Sequence, residues 1–285
     1  PWMTDPGRAL YKEIESEDRL IHYTIEGVHK ASDEAAVSAA ELLKSGKVAM
    51  VGSAHSSVEE QFFYKAIAER SGAKVYLVSH NGDGDGLLQS EDRTPNLRGA
   101  LVTGLIGELP SKNLEVLGSD INSGAVKTIL AVNEDLTELG ISKDVLAKAK
   151  VIYVGSHANR TSEVANIVLP SLMVFEKDGS FINQSFRIQR FKAAVPGPRG
   201  VQSDFTVLEK IAAALAGEKA TAITIDSVWE RMTATIDQLS DSLLWRTLPE
   251  EGVALDATAF LNLGFIETKN LKYDPTTFTE AHAAP

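Results

Sequence analysis

The sequence predicts an α/β fold built around a parallel sheet. Three observations carry that expectation. Short apolar runs do not alternate with polar residues, helical patterns lie between them, and turns of only a few residues join the two. Helical periodicity opens at Ser32-Asp33-Glu34, continues through Ala39, Ala40, Leu42 and Leu43, and stops at Gly46, with Ser32 or Asp33 as the expected cap. Lys47 to Gly52 (KVAMVG) then reads as a buried strand. Ser56 or Ser57 caps a second helix from Val58 to Arg70, Gly72 ends it, and Lys74 to Ser79 is the next strand. That is a βαβ unit, and the alternation recurs. Val126 to Val132 (VKTILAV) is a strand, Lys143 to Lys150 a helix, Val151 to Gly155 (VIYVG) a strand, and Ser162 to Asn166 a short helix before the strand Ile167 to Pro170. From Met173 to Val201 the Gly, Pro, Asn, Gln and Arg content reads as ordered loop. Ser203 or Asp204 caps a helix through Leu215 that Gly217 closes, Ile225 to Leu239 is one more helix, and residues 240–285 read as a loosely organised tail. The chain thus divides into an N-terminal piece (1–31), an α/β body (32–217) and a C-terminal helix with an extended tail (218–285).

Charge and composition narrow the function classes. Lys and Arg number 28 against 39 Asp and Glu, a net charge of −11, and no basic run breaks the acidic balance. Nucleic acid and anionic membrane surfaces both need clustered cations, so neither is the expected partner. Cysteine is absent. Within these residues there is therefore no disulfide, thiolate nucleophile, sulfur-held zinc or cysteine-held iron–sulfur cluster. The histidines, at 22, 29, 55, 80, 157 and 282, show no close ligand spacing, so a histidine metal site would have to be assembled by the fold. No apolar stretch approaches the roughly 20 residues needed to span a bilayer, and no signal peptide is visible. Starting at Pro1, the chain reads as a piece of a longer protein.

The stretch SHNGDGDGLLQSEDR, from Ser79 to Arg93, admits three readings. As a calcium loop it places Asn81, Asp83, Asp85 and Asp92 at ligand spacing around Gly86, but a β-run enters it where an EF-hand needs a helix. As a phosphate loop it offers alternating glycines without G-x-G-x-x-G or G-x-x-x-x-G-K-[ST]. As a solvated connection it carries no chemistry. The turn Gly52 to Ser57 (GSAHSS) has a single glycine, which leaves little room for a pyrophosphate, and Ser53 and His55 there fit helix capping better than a nucleophile pair. His157 follows a strand end, where open α/β sheets place their ligands, and reads either as a ligand contact or as a satisfied loop residue.

Three later stretches, HANRTSEVANIVLP (157–170), FEKDGSFINQSFRIQ (175–189) and PGPRGVQSDFTVLEKIA (196–212), closely resemble the molybdopterin oxidoreductase family in order, spacing and residue type. The resemblance rests on Thr161, Ala165 and the Val-Leu-Pro run, then Glu176, Gly179, Phe181, Asn183, Arg187 and Gln189, then Asp204 and Phe205. WMTDPGRALY (2–11), EDRL (17–20) and TPNLRGA (94–100) narrow it to the branch containing the large iron–sulfur subunits of NADH:quinone oxidoreductases. There are departures. Thr4 stands where some bacterial relatives carry a cluster-ligating cysteine, Ser185-Phe186 replace the usual Glu-Gly, and Gln202 replaces an Arg.

The resemblance implies a layered parallel-sheet α/β architecture of the molybdopterin oxidoreductase type, truncated, with residues 1–31 a remnant of the iron–sulfur-proximal region. It places a pterin cleft, vestigial in this branch, at His157, Thr161, Asn183, Arg187 and Gln189. Active members draw the molybdenum ligand from the loop that here is Ser79 to Arg93, which has no thiolate; Ser79, Asp83 and Asp85 are the possible substitutes. The implied role is a scaffold in the electron-transfer arm of a respiratory NADH:quinone oxidoreductase, a domain that has lost its metal. No cofactor is expected in this chain. Iron–sulfur clusters would lie in a preceding part or in partners, the other subunits of that complex, on the cytoplasmic side of the inner membrane without direct insertion. Two alternatives stand beside it: an active formate dehydrogenase-like enzyme using those five residues, and a calcium-stabilised binding module.

Overall fold

The computed structural model describes residues 9–80, 92–109, 113–239 and 243–263. A short hairpin, β1 (Thr24–Ile25) and β2 (Val28–His29), precedes α1 (Ser32–Leu43), β3 (Val48–Ser53), α2 (Val58–Ser71) and β4 (Lys74–Val78). Helices α3 (Leu97–Val102) and α4 (Asn113–Asn122) lead to β5 (Thr128–Val132), α5 (Lys143–Leu146), β6 (Lys150–Gly155) and β7 (Ile167–Pro170). Strands β8 (Gly179–Ile182) and β9 (Arg187–Phe191), helices α6 (Asp204–Ala216) and α7 (Ile225–Thr233), and β10 (Val253–Ala254) complete the order.

Seven strands form one sheet in the order β2-β1-β7-β6-β5-β3-β4. From β7 to β4 the pairing is parallel; β1 and β2 run antiparallel along the β7 edge. The apolar runs are continuous because both faces of the sheet are covered. Alternate residues serve separate cores. Met50, Leu130, Ile152 and Val154 pack against α1, α2 and α6, whereas Val51, Ile129, Ala131 and Val151 pack against Leu117 and Ile121 of α4 and Leu146 of α5. Four buried alanines on α1 (Ala35, Ala36, Ala39 and Ala40) let α6 approach closely. At the other edge of the sheet, Lys74 of β4 reaches Asp120 of α4 at 2.8 Å, and Tyr76 donates to the same carboxylate at 2.8 Å.

Local signals set most element ends. Ser57 and Glu60 form a reciprocal capping box at the start of α2, and Gly72 closes that helix in the left-handed conformation at φ 65°. At α1 the expected caps serve otherwise. Ala31 is the cap residue, while Ser32 and Asp33 receive Lys210 of α6 at 3.0 and 2.5 Å. The stretch read as ordered loop, Met173 to Val201, contains a β-hairpin instead. Asn183 Oδ1 accepts the Ser185 and Arg187 amides at its turn, and β10 from the expected tail joins β9 to give a second sheet in the order β10-β9-β8. Both sheets therefore draw strands from outside residues 32–217. The helix expected to run to Leu239 ends at Thr233, and α5 is one turn long. No helix among the described residues is long and apolar enough to cross a membrane.

The two sheets meet at the first turn of α2. Glu59 is fully buried and accepts from Ser180 N (3.0 Å) and Oγ (2.8 Å) of β8 and from Trp229 Nε1 of α7 (2.7 Å). Burial pushes its carboxyl above the usual range despite these donors. Glu60, next to it, is bonded by Lys177, which also bonds Asp204 at the start of α6. Burial opposes the ionisation of all three groups. The two carboxylates nevertheless hold the Lys177 ammonium above its ordinary value, the ammonium holds Glu60 below, and burial leaves Asp204 well above.

Two substitutions test this junction. Trp229→Phe keeps a ring but removes the indole donor, and should lower unfolding free energy by about 1–3 kcal/mol in urea titrations. Lys177→Met leaves two buried carboxyls without their cation and should cost about 3–5 kcal/mol by the same measurement.

Candidate functional site

Among the parallel strands the chain runs from β3 outward to β4, then crosses back to β5 on the opposite side of β3. Connections diverging in this way open a crevice at the carboxyl ends of β3 and β5, the place where doubly wound sheets bind ligands. The residues that follow those strands meet there. Ser53 Oγ donates to Glu134 Oε1 at 2.5 Å and accepts from the His55 amide at 3.1 Å. His80, just past β4, places Nε2 3.3 Å from Glu134 Oε2. The His55 and His80 rings lie 5.3 Å apart, centroid to centroid, tilted by 55°. Asn133 adopts a left-handed backbone at φ 54°, a conformation asparagine tolerates, and this turns the chain so that Glu134 faces back toward β3. Partial desolvation lowers the His55 imidazole, whereas the bond to Glu134 raises His80.

A cavity of about 420 Å³ continues from His55 and Asn133 along the same edge to Tyr153, His157, Asn159 and Lys177. Tyr153 Oη donates to the His157 carbonyl at 3.3 Å and accepts from Asn159 Nδ2 at 2.8 Å; burial raises its pKa. Asp135, one residue past Glu134, accepts from Thr137 N (2.9 Å) and Oγ1 (2.8 Å), Thr161 Oγ1 (3.1 Å) and Arg160 N (3.2 Å).

Of the five residues expected in a pterin cleft, only His157 lines this cavity. Its Nδ1 lies 3.0 Å from Ser156 Oγ, and its Nε2 donates to the Glu13 carbonyl at 2.8 Å. Thr161 is fully buried, bonded to Asp135 and to the Leu136 amide (2.8 Å). Asn183, Arg187 and Gln189 belong to the second sheet and its turn. Asn183 closes the β8–β9 turn, Arg187 donates to the Glu251 (3.3 Å) and Gly252 (2.9 Å) carbonyls, and Gln189 is exposed on β9. Thr161, Asn183 and Arg187 are thus engaged by hydrogen bonds within the protein, whereas Gln189 is exposed.

Of the Ser79 to Arg93 stretch, Asn81, Asp83 and Asp85 lie outside the described residues. Ser79 and His80 at one end, and Asp92 and Arg93 at the other, are described. Asp92 is buried, accepting from Thr94 N (3.0 Å) and Oγ1 (2.6 Å) and paired with Arg98 at 2.5 Å, so its carboxylate is engaged within the fold. The TPNLRGA stretch has an equally internal task. Asn96 donates to the Ser56 carbonyl (2.7 Å) and Gln61 Oε1 (3.0 Å) and accepts from the Ile182 amide (2.8 Å), joining the β3–α2 turn, α2 and β8. A Cβ at Gly99 would stand 2.3 Å from Asn96 Oδ1, so glycine there makes room for that side chain. Sequence reasoning missed Glu59, Glu60, Lys177 and Glu134. Only the strand order reveals that the acidic pair after VKTILAV faces the crevice.

Fold and crevice together define a doubly wound α/β domain with its ligand edge at the carboxyl ends of the strands. Residues 110–214 match the family model described as molybdopterin oxidoreductase. It is 32% identical over 78 residues to the mitochondrial 78 kDa subunit of NADH-ubiquinone oxidoreductase from Neurospora crassa, a match covering 27% of this chain and 10% of that protein. It is 34% identical over 79 residues to the alpha subunit of F420-dependent formate dehydrogenase 2 from Methanococcus maripaludis, covering 27% of this chain and 12% of that one. A putative formate dehydrogenase of Bacillus subtilis is 29% identical over 105 residues, 35% of this chain and 11% of its own. The matches thus span about a tenth of the length of these relatives.

Asp135 supplies a pH test of the crevice wall. Burial opposes its ionisation, but the bonds from Thr137 and Thr161 outweigh it and hold the carboxyl below its usual value. A depressed folded pKa contributes stability fully present above the unfolded value, about 3.9, and lost as pH falls through the lower folded value. Asp135→Asn should therefore lower the urea midpoint at neutral pH and flatten its decline in the acid range below about pH 4.

Proposed function

We propose that this chain is a scaffold part of the electron-transfer arm of an NADH:quinone oxidoreductase, a molybdopterin-oxidoreductase-like domain that has lost its metal. The observation that supports this best is the use made of the motif residues. Thr161, Asn183 and Arg187 keep their family identity but spend their polar atoms on Asp135, on a β-turn and on the Glu251–Gly252 carbonyls. The N. crassa relative supports the branch, and the absence of cysteine means that iron–sulfur clusters would be held outside these residues. On this reading the domain excludes water from neighbouring clusters and fixes their spacing, and its partners are the other subunits of the complex, on the cytoplasmic side of the inner membrane. The second reading, a catalytic formate dehydrogenase-like domain, has two formate dehydrogenases among the relatives in its favour.

Elemental analysis of the full-length native protein, in the assembly it purifies with, separates the two. Iron without molybdenum or tungsten, in a complex that oxidises NADH, is the expected result. Molybdenum or tungsten near one per chain would overturn the scaffold reading.

A further inference from the structure

His55, His80 and Glu134 are the one group among the described residues in which three histidine or acidic side chains each offer a ligand atom within 4.8 Å of the others. We propose that these three residues bind one divalent first-row transition ion, zinc foremost, at the carboxyl ends of β3, β4 and β5.

Geometry and ligand chemistry carry the proposal. In a tetrahedral site with bonds of about 2.0–2.1 Å, neighbouring ligand atoms stand about 3.3–3.4 Å apart. His80 Nε2 and Glu134 Oε2 already form such an edge at 3.3 Å. His55 is exposed, so its ring can rotate the remaining distance without disturbing the core. Two imidazoles and one carboxylate suit zinc or ferrous iron and leave a coordination position open. That position would hold water or a small anion, and His55 also lines the cavity beside it.

The supporting shell is in place without the ion. Ligating carboxylates are fixed by a second hydrogen bond, and Ser53 Oγ supplies it to Glu134 while accepting the His55 amide. One serine therefore orients a ligand from β5 and anchors the backbone of a ligand following β3. The net charge of −11 favours cation binding over anion binding in general, and the site converts that general preference into a local one. A simple ion pair between His80 and Glu134 would need neither Ser53 nor His55, and this separates the two accounts.

The inference stands apart from the scaffold reading, because zinc and molybdenum are counted separately. The full-length protein is stripped with a chelator, equilibrated with zinc chloride, dialysed, and its metal content measured beside that of variants. The wild type should retain about one zinc per chain. His55→Ala and His80→Ala, both at exposed positions, should weaken zinc affinity by about 100-fold or more with unchanged circular dichroism, and Ser53→Ala by about 10-fold. A wild type that retains no zinc, or histidine variants that retain it as the wild type does, would overturn the site and leave only the ion pair. Molybdenum in the native protein would overturn the functional reading and not this one.

Discussion

The architecture hangs on two adjacent carboxyl groups buried at the first turn of α2. A helix N-terminus is a favourable place for negative charge, since its amides are unpaired and its dipole is positive. Burial withdraws the solvent that would otherwise stabilise that charge, so each carboxyl must collect partners from elsewhere in the chain. Glu59 collects them from β8 and α7, and Glu60 collects Lys177 and, through it, the start of α6. Three segments remote in sequence, the stretch from Lys177 into β8 and the helices α6 and α7, are drawn to one helical turn. The capping box that starts α2 uses the same Glu60, so the helix begins where the rest of the molecule is assembled.

Much the same economy governs the motif residues. Asn96, Thr161, Asn183 and Arg187 sit in stretches that resemble a cofactor-binding family, yet each closes a turn, joins two elements or caps backbone carbonyls. Sequence likeness to a binding family is thus maintained here by side chains whose hydrogen bonds are internal. What remains open at the ligand edge is different chemistry, a histidine pair and a carboxylate beside a tyrosine-lined cavity.

The parallel sheet was legible because its strands are buried on both faces, which leaves uninterrupted runs such as VAMVGS and TILAV. The helices with strong caps or glycine stops, α1, α2 and α6, were legible for the same local reason. The β8–β9 hairpin was not. Its strands are short, and in GSFI and RIQRF only Ile182 and Ile188 are buried apolar side chains. Helices α3 and α4 were not legible either, since LRGALV is barely two turns long and both it and NLEVLGSDIN carry an internal glycine. At the site, His55 and Ser53 were visible as neighbours in sequence. Their partner Glu134 lies 81 residues beyond Ser53, and only the crossing of the chain from β4 back to β5 makes them meet.

The sheet ends differently on its two sides. One side ends in the short antiparallel hairpin β1–β2, whose outer strand is exposed. The other stops at β4, where Lys74 stands at the border and is tethered to Asp120. An outermost strand with unpaired amides invites another chain to continue the ladder, and a charge at that border discourages it. Among the described residues, this lysine keeps a charge beside the outermost strand, where it opposes the pairing of a further strand.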